Sequence, residues 1–512
     1  MERASPSLGW TLRKQFWNRL AVSKFKGNKP AYIPVPVDDG RPIIPVPLSS
    51  VTPGVPISNI LVADHVPSDE AQPLKKLFYR FQLAMYRFYP AMQPGLPRVD
   101  DDPMVALQEA YDVAHRNAFP PPERPPEVGG PSGADLAALA VKGPFACYLE
   151  RAPDGGFRWD LRELSNYEHH DGLYPLGVRV FFGLDPATRT LHAERIESAL
   201  GAHTPSSPEW GPVTRLALCA ASTHLSLVRH FNWIHLAAGA ALAIATRNEL
   251  PADHPLRRVL WPHVFGTQYS NQIVTQGQMV EGGDFPDIFS FTHRGMGALF
   301  SETHKAYRIS VLDPALDARR RGIKDAGFAT PSQENLESLF EVLHAHAERY
   351  VGAYYADDAA VARDEKIRSW LDALDRLIPN GIGEIAAKPV NRVGIARLIG
   401  AFIYMATVQH EVVGSGVWSY QLWTDRIPVR MYRNAQREPL DVYQRLVNAN
   451  FNLNVHRAPL LQDFAYLALD RAGRDLFTRF LRELQTLNTA MPQPPHAPWW
   501  IRPEILKANI NA

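Results

Sequence analysis

Two stretches of this chain are apolar on almost every side, and a helix without a polar face has to be buried. One is Val390–Trp418, VNRVGIARLIGAFIYMATVQHEVVGSGVW. The other lies within Trp210–His263, where the longest apolar run, Phe231 to Thr246, is interrupted by Asn232 and His235. That run is short for a membrane span. Such helices belong at the centre of a core, and they carry histidines there. His230 and His235 are five residues apart, which on an ordinary α-helix points them about 140° apart. A wider π-type turn would bring both imidazoles to one face, and such turns occur mostly at functional sites. A metal held by both side chains is one reading. Two unrelated core histidines is the other, because 18 His in 512 residues give roughly one such pair by chance.

Length allows one large domain or up to three smaller ones. No internal repeat and no low-complexity linker divides the chain, so a single domain over residues 1–512 is expected, mainly α with a minor β-sheet. The 54 basic and 53 acidic residues leave a net charge of +1. This balance offers no electrostatic footprint for nucleic acid or an anionic membrane, and membrane contact is expected to be peripheral at most. Oligomeric state is left open. Cys147 and Cys219 are the only cysteines, which argues against a disulfide framework and a cysteine-based zinc site. The first twenty residues lack the apolar core of a signal peptide, and a cytoplasmic location is the default.

Residues 1–60 are proline-rich and read as extended wrapping rather than a domain. Ser68–Tyr89 opens with a cap-like Ser-Asp-Glu and continues as an aromatic-rich helix. The best strand candidates, GPFACYLERA, GGFRWDL and GVRVFFGL, fall within 141–200. Past Trp210 the pattern is helical: Ser332–Tyr355 with a capping pattern, Lys366–Leu377, the apolar helix at 390–418, and Gly473–Asn488.

Chemistry concentrates at three places. The first is the His230/His235 pair. The second is His410 in the run QHEVVG, deep in the other apolar helix, where each ring nitrogen needs a partner. It is either a satisfied core histidine or a ligand. The third is the chain end, where Ile501, Ile505, Leu506 and Ile510 supply enough apolar surface to dock. A buried terminal carboxylate needs a cation. Three imidazoles and a carboxylate suit iron, manganese or zinc. A helical zinc-protease motif is excluded because Gly414 stands where its second His is required.

Taken together these segments resemble the lipoxygenase family. Trp210, His230, His235, Ile244-Ala245-Thr246, His254-Pro255 and Trp261-Pro262-His263 follow the order of that family's iron-binding core, with the Ile-Ala-Thr run one residue further along than usual. AERYVGAYYADDAAVARDEKIRSWLDAL is similar to the family's Tyr-Val…Tyr-Tyr…Asp…Trp stretch, and FIYMATVQHEVVG to the helix bearing its third His ligand. PEILKANINA resembles the family's end, with Leu506 and Ile510 at its apolar positions. The likeness covers roughly 200–512 and implies a divergent, bacterial-type member without the N-terminal β-barrel module, its central helices holding the metal.

The resemblance implies His230, His235, His410 and the main-chain carboxylate of Ala512 as ligands of non-haem iron, with manganese as the alternative. A metal-bound water or hydroxide would then be the hydrogen-atom acceptor, no side chain being assigned to that role. It implies a dioxygenase that takes a hydrogen atom from a polyunsaturated fatty acid and adds O2 to give a hydroperoxide. The substrate would be small and apolar, lying in an elongated pocket lined by residues such as Leu236, Ile403 or Val413. Departures accompany the likeness. Gly414 stands where the family has Asn, His or Ser as a further ligand, Val417 and Ser226 where it has Gln, and Ala512 where it has Ile. Thr275 falls near the position that steers oxygenation, where Gly or Ala is usual. These departures motivate an alternative: an oxygenase or isomerase of this fold acting on another substrate, such as a secondary metabolite, or a catalytically silent homologue.

Overall fold

The computed structural model describes residues 8, 9, 12, 31–71, 124–130, 133–416, 420–434, 457–492 and 500–510. From residue 72 onward the aromatic helix expected to end at Tyr89 lies outside the described residues, as do Val417, Ala512 and nearly all of 1–30.

The central helix α1 is built from three segments laid end to end: Trp210–His224, a π-helical Leu225–Gly239, and Ala240–Glu249. Buried residues surround it on all sides. Further along come α2 (Pro255–Val264), α3 (Thr267–Gly277), α4 (His293–Lys305), α5 (Pro331–Tyr354) and α6 (Glu365–Leu377). The second central helix, α7, joins Arg392–Tyr404 through a π segment, Met405–Gln409, to His410–Gly416. It is long and apolar enough to cross a membrane, yet most of it is buried inside the protein, which marks it as a core helix. Finally α8 runs from Arg471 to Ala490.

Short polar side chains start these helices by accepting from otherwise unpaired N–H groups. Thr292 caps α4, Asp364 caps α6, Asn391 caps α7 and Asp470 caps α8. For α5 the cap falls two residues before the expected Ser332. Thr330 is the boundary residue, and Glu334 turns back to accept its backbone N–H at 3.2 Å. α5 packs along α7 and is covered by α8, α4 packs on the π segment of α1, and the last segment of α7 crosses that same π segment.

The minor sheet is antiparallel in the order β3 to β7, separate from a β1–β2 pair (Pro45–Pro47 with Leu61–Ala63). Its strands are β3 (Glu150–Arg151), β4 (Phe157–Asp160), β5 (Arg179–Leu184), β6 (Leu191–Ser198) and β7 (Gly201–His203). Phe157, Trp159, Val180, Phe182 and Ile196 turn one face to the core. Two of the three expected strands form. The third, GPFACYLERA, does not: Pro144–Tyr148 is a 3-10 turn opened by proline, and only Glu150–Arg151 pairs. The longest strand, β6, gave no sequence signal because only Ile196 in it is buried. Its charged residues bond across and along the surface instead, Glu197 with Arg179 and Arg195.

Residues 31–71 lie along α1 and α2, as proline-rich wrapping should. Trp261 Nε1 donates to the Pro34 carbonyl at 2.6 Å, Arg257 to that of Val37 at 2.7 Å, and Asn248 brackets the Ile43 backbone. Arg247, whose side chain is 0% exposed, holds the segment in place by pairing with Asp39, Asp69 and the equally buried Glu70. Burial raises the Glu70 pKa, and the Arg247 charge pulls against that rise. Arg247→Ala strands Glu70 in the interior and is expected to cost about 3–5 kcal/mol. Urea unfolding measures the loss, and Glu70→Gln in the same chain should restore part of it.

Candidate metal centre

The π segment of α1 decides where its histidines point. Over Leu225–Gly239 the wider turn brings His230 and His235 to one side, with ring centroids 5.0 Å apart. α7 meets them there. His410 Nε2 lies 3.1 Å from His230 Nε2 and 3.1 Å from His235 Nε2. The three side chains offer one ligand atom each, all within 4.8 Å of one another, and they are the group of this kind found among the described residues. A second π segment directly precedes His410, a feature the sequence did not announce.

Neighbours fix which nitrogen of each ring faces inward. His235 Nδ1 is 3.0 Å from Asn271 Oδ1, while Asn271 Nδ2 donates to the His235 carbonyl at 2.9 Å. That second bond sets the amide so that its oxygen faces the ring, and Nδ1–H donates to it. His410 Nδ1 is 3.0 Å from Glu411 Oε1, and Glu411 is paired with the buried Arg457. Burial works against charge on Glu411, but Arg457 outweighs it and holds the carboxyl down to about 2. Arg457 Nη1 lies 2.9 Å from the same His410 Nδ1, so carboxylate and guanidinium together hold that side of the ring and leave Nε2 turned inward. The Nε2 atoms of His235 and His410 therefore face each other, that of His235 with its lone pair. Burial and then the other imidazoles push His230 and His235 well below the ordinary histidine value, and burial also lowers His410. Converging imidazole nitrogens that resist protonation in an apolar interior fit a cation, and such donors suit iron or zinc.

Gly414 lies on the same face of α7. A Cβ there would sit 2.9 Å from His230 Nε2, so this position has room for hydrogen and nothing larger while the ring keeps its place. The chain end approaches from the other side. His263 Nδ1 is 2.6 Å from the Ala508 carbonyl, and Leu506 and Ala508 bond to Leu460 and Ala458. A Cβ at Gly239 would meet Ile510 Cδ1 at 2.6 Å, which places Ile510 against the π segment. Leu506, Ile510 and Ile501 are buried as expected, but Ile505 is 47% exposed and takes no part in the docking. Ala512, the expected carboxylate ligand, lies outside the described residues.

Other residues of the sequence motifs meet in space. His254 caps α2 and reaches Asp364 at 3.2 Å, Tyr355 donates to the same carboxylate at 2.7 Å, and Trp370 Nε1 donates to Thr246 at 3.2 Å. Thr275 is buried one turn past Asn271 and donates to its carbonyl at 2.8 Å. Ser226 accepts from Gln421 at 2.9 Å. Asn271, Glu411 and Arg457 are the residues that sequence reasoning did not assign to the centre. Asn271 comes 36 residues after its histidine and Arg457 is 47 residues from His410, so no local spacing signals either.

The expected pocket is displaced. Leu236 and Ile403 are packed shut at 1% and 0% exposure, because both point into the seam between helices. A cavity of about 120 Å³ instead opens on the other side of α7, bordered by Val413, Val412, Glu411, Tyr404, Arg229 and Arg321.

Comparison with known proteins places the chain among related sequences. No family model matches it. It is 25% identical over 199 residues to the mouse polyunsaturated fatty acid lipoxygenase ALOX15, covering 38% of this chain and 30% of the relative. The human hydroperoxide isomerase ALOXE3 is 24% identical over 209 residues, 40% of this chain and 28% of that protein. A Pseudomonas aeruginosa linoleate 9/13-lipoxygenase is 23% identical over 246 residues, 47% of this chain and 34% of the relative. The matched region thus spans about a third of these proteins. Among solved structures, coral 8R-lipoxygenase superposes with a TM-score of 0.72 at 15% identity, covering all of this chain and 83% of the other. A lipoxygenase loop-deletion variant gives a TM-score of 0.73 at 14% identity, with the same coverage.

Two outcomes follow from the geometry. Gly414→Ala should displace His230 and weaken metal retention about tenfold or more, read as metal content after dialysis, with secondary structure unchanged. Separately, burial holds His263 and His304 down to about 4, whereas the unfolded chain takes up protons from about 6.5. Stability is therefore complete above pH 6.5 and falls as pH drops toward 4, by on the order of 3 kcal/mol for each group. His263→Gln should flatten that decline in thermal unfolding of the metal-free protein.

Proposed function

Because the chain is a divergent lipoxygenase-like protein, we propose that it is a metal-dependent dioxygenase that adds O2 to a polyunsaturated fatty acid and yields a hydroperoxide. The observation that carries this reading is the convergence of the Nε2 atoms of His230, His235 and His410 on one buried point. Iron is the cation of this proposal, with manganese as the alternative, and Ala512 is its carboxylate ligand from the chain end. Bound there, iron supplies the one-electron chemistry for removing a hydrogen atom from a doubly allylic carbon.

The chain's own residues do the rest. Asn271 holds the His235 ring by both its ends, Nδ1 and the backbone carbonyl. Glu411 and Arg457 together hold the Nδ1 side of the His410 ring, and Arg457 keeps Glu411 ionised. Burial between α1 and α7 disfavours charge on the three imidazoles and so favours their neutral, ligating form.

A second reading keeps the centre and changes the substrate. The cavity beside α7 is only about 120 Å³ and is bordered by Arg229, Asp317, Arg321 and Glu411, which suits a smaller or more polar molecule than an acyl chain. The hydroperoxide isomerase among the relatives motivates the same alternative. A catalytically silent scaffold is the third possibility. Oxygen uptake and conjugated-diene absorbance with linoleate separate them. Uptake that disappears in His235→Ala is the expected outcome. A full metal complement without uptake sinks the fatty-acid reading, and metal content far below one per chain, unchanged by His235→Ala, leaves only the scaffold.

A further inference from the structure

Where α1 begins at Trp210, well before its histidines, lies a cavity of about 640 Å³. Its size is in the range of small-molecule sites, roughly 300–1,000 Å³. Four arginines border it, Arg215, Arg426, Arg430 and Arg433, against one carboxylate, the exposed Glu209.

Among the described residues, what holds most of these guanidiniums in place is neutral. Arg430 donates through Nε to the Phe289 carbonyl and through Nη2 to that of Pro286, both at 2.9 Å. Arg433 donates through Nε to the Leu173 carbonyl at 3.0 Å and stacks over Tyr174. Neutral carbonyls orient a guanidinium without cancelling it. Arg426 has only a 3.5 Å ion pair with Asp425, which Arg124 also engages. Arg215 has no carboxylate within ion-pairing distance among the described residues.

Two polar atoms around the cavity have no partner among the described residues: Arg215 Nε and the hydroxyl of Thr214, a residue only 7% exposed. A buried polar atom left unpaired is costly, so two at one cavity ask for a ligand. The first-turn N–H groups of α1 add positive potential at the same place.

We propose that this cavity is a binding site for a small polyanion bearing two or more phosphate groups, remote from the histidine centre. Arg215 and Thr214 meet the anion, with Arg430 and Arg433 flanking it. The surplus of guanidiniums over carboxylates among the described residues favours a ligand of charge −2 or more over a fatty-acid monocarboxylate, and planar guanidiniums match phosphate oxygens in pairs. Thr214 and His230 are 16 residues apart on one helix, on the order of 24 Å at 1.5 Å per residue. Occupancy therefore does not depend on the metal or on the proposed dioxygenase activity, and either can fail without the other.

The test is calorimetric titration of the metal-loaded full chain with inorganic pyrophosphate, with acetate as the monoanion control, supported by the thermal midpoint. Pyrophosphate should bind and raise the midpoint, and acetate should do neither. Arg215→Gln should weaken binding at least tenfold at unchanged metal content, Arg215→Lys should recover part of it, and Thr214→Val should weaken it severalfold. Vesicles of a phosphatidylinositol bisphosphate in phosphatidylcholine distinguish the source. Sedimentation with them that pyrophosphate competes away and Arg215→Gln abolishes identifies a lipid headgroup, whereas pyrophosphate binding without vesicle binding identifies a free phosphate compound. Absence of pyrophosphate binding, or equal binding by wild type and a folded Arg215→Gln protein, overturns the proposal.

Discussion

Imidazoles gathered in an apolar interior place polar nitrogens where no water is present to satisfy them. His235 and His410 nonetheless face one another across 3.1 Å. Much of the molecule can be understood as the means of holding them there. Asn271 holds one ring from behind, Glu411 and Arg457 hold the other, and the two π segments turn the rings inward. Each of these groups is buried, so the polar cost of the arrangement is met by pairing rather than by solvent. Such an assembly is poised for a cation before any cation arrives, which is what pre-organisation of a metal site means physically.

The inner part of this design was legible in the sequence because it is local. An all-apolar helix has to be central, and a five-residue histidine spacing makes geometric sense only with a widened turn. Both inferences rest on periodicity, and α1 and α7 match them. What the sequence did not disclose depends on residues distant along the chain or on surface chemistry. Asn271 and Arg457 acquire meaning only once α3 and the segment at 457 fold back onto the centre. β6 was missed because a strand with one solvent face can keep a single core residue, Ile196, and leave its charges to each other. The pocket expectation held only for Val413, which borders the cavity beside α7, whereas Leu236 and Ile403 are fully packed into the core and line no channel.

Gly414 links the departures from the lipoxygenase pattern to the geometry. From the sequence it is a missing ligand. In the structure the space for a side chain at that position is already taken by the His230 ring. A side chain at 414 therefore has to displace the His230 ring before it can take any place in the centre.

The wrapping segment bears on how this protein is made. Residues 31–71 bond to Arg247 and Asn248, more than 200 residues later, and Ile33 bonds to Tyr466, 433 residues later. Residues 31–71 therefore have no surface to rest on until the helices made after them exist. Closing so large a loop is slow, and until it closes the apolar and acidic groups of the segment remain in water. The segment is made before the helices it is fastened to, and Arg247, with its three carboxylates, is the clasp.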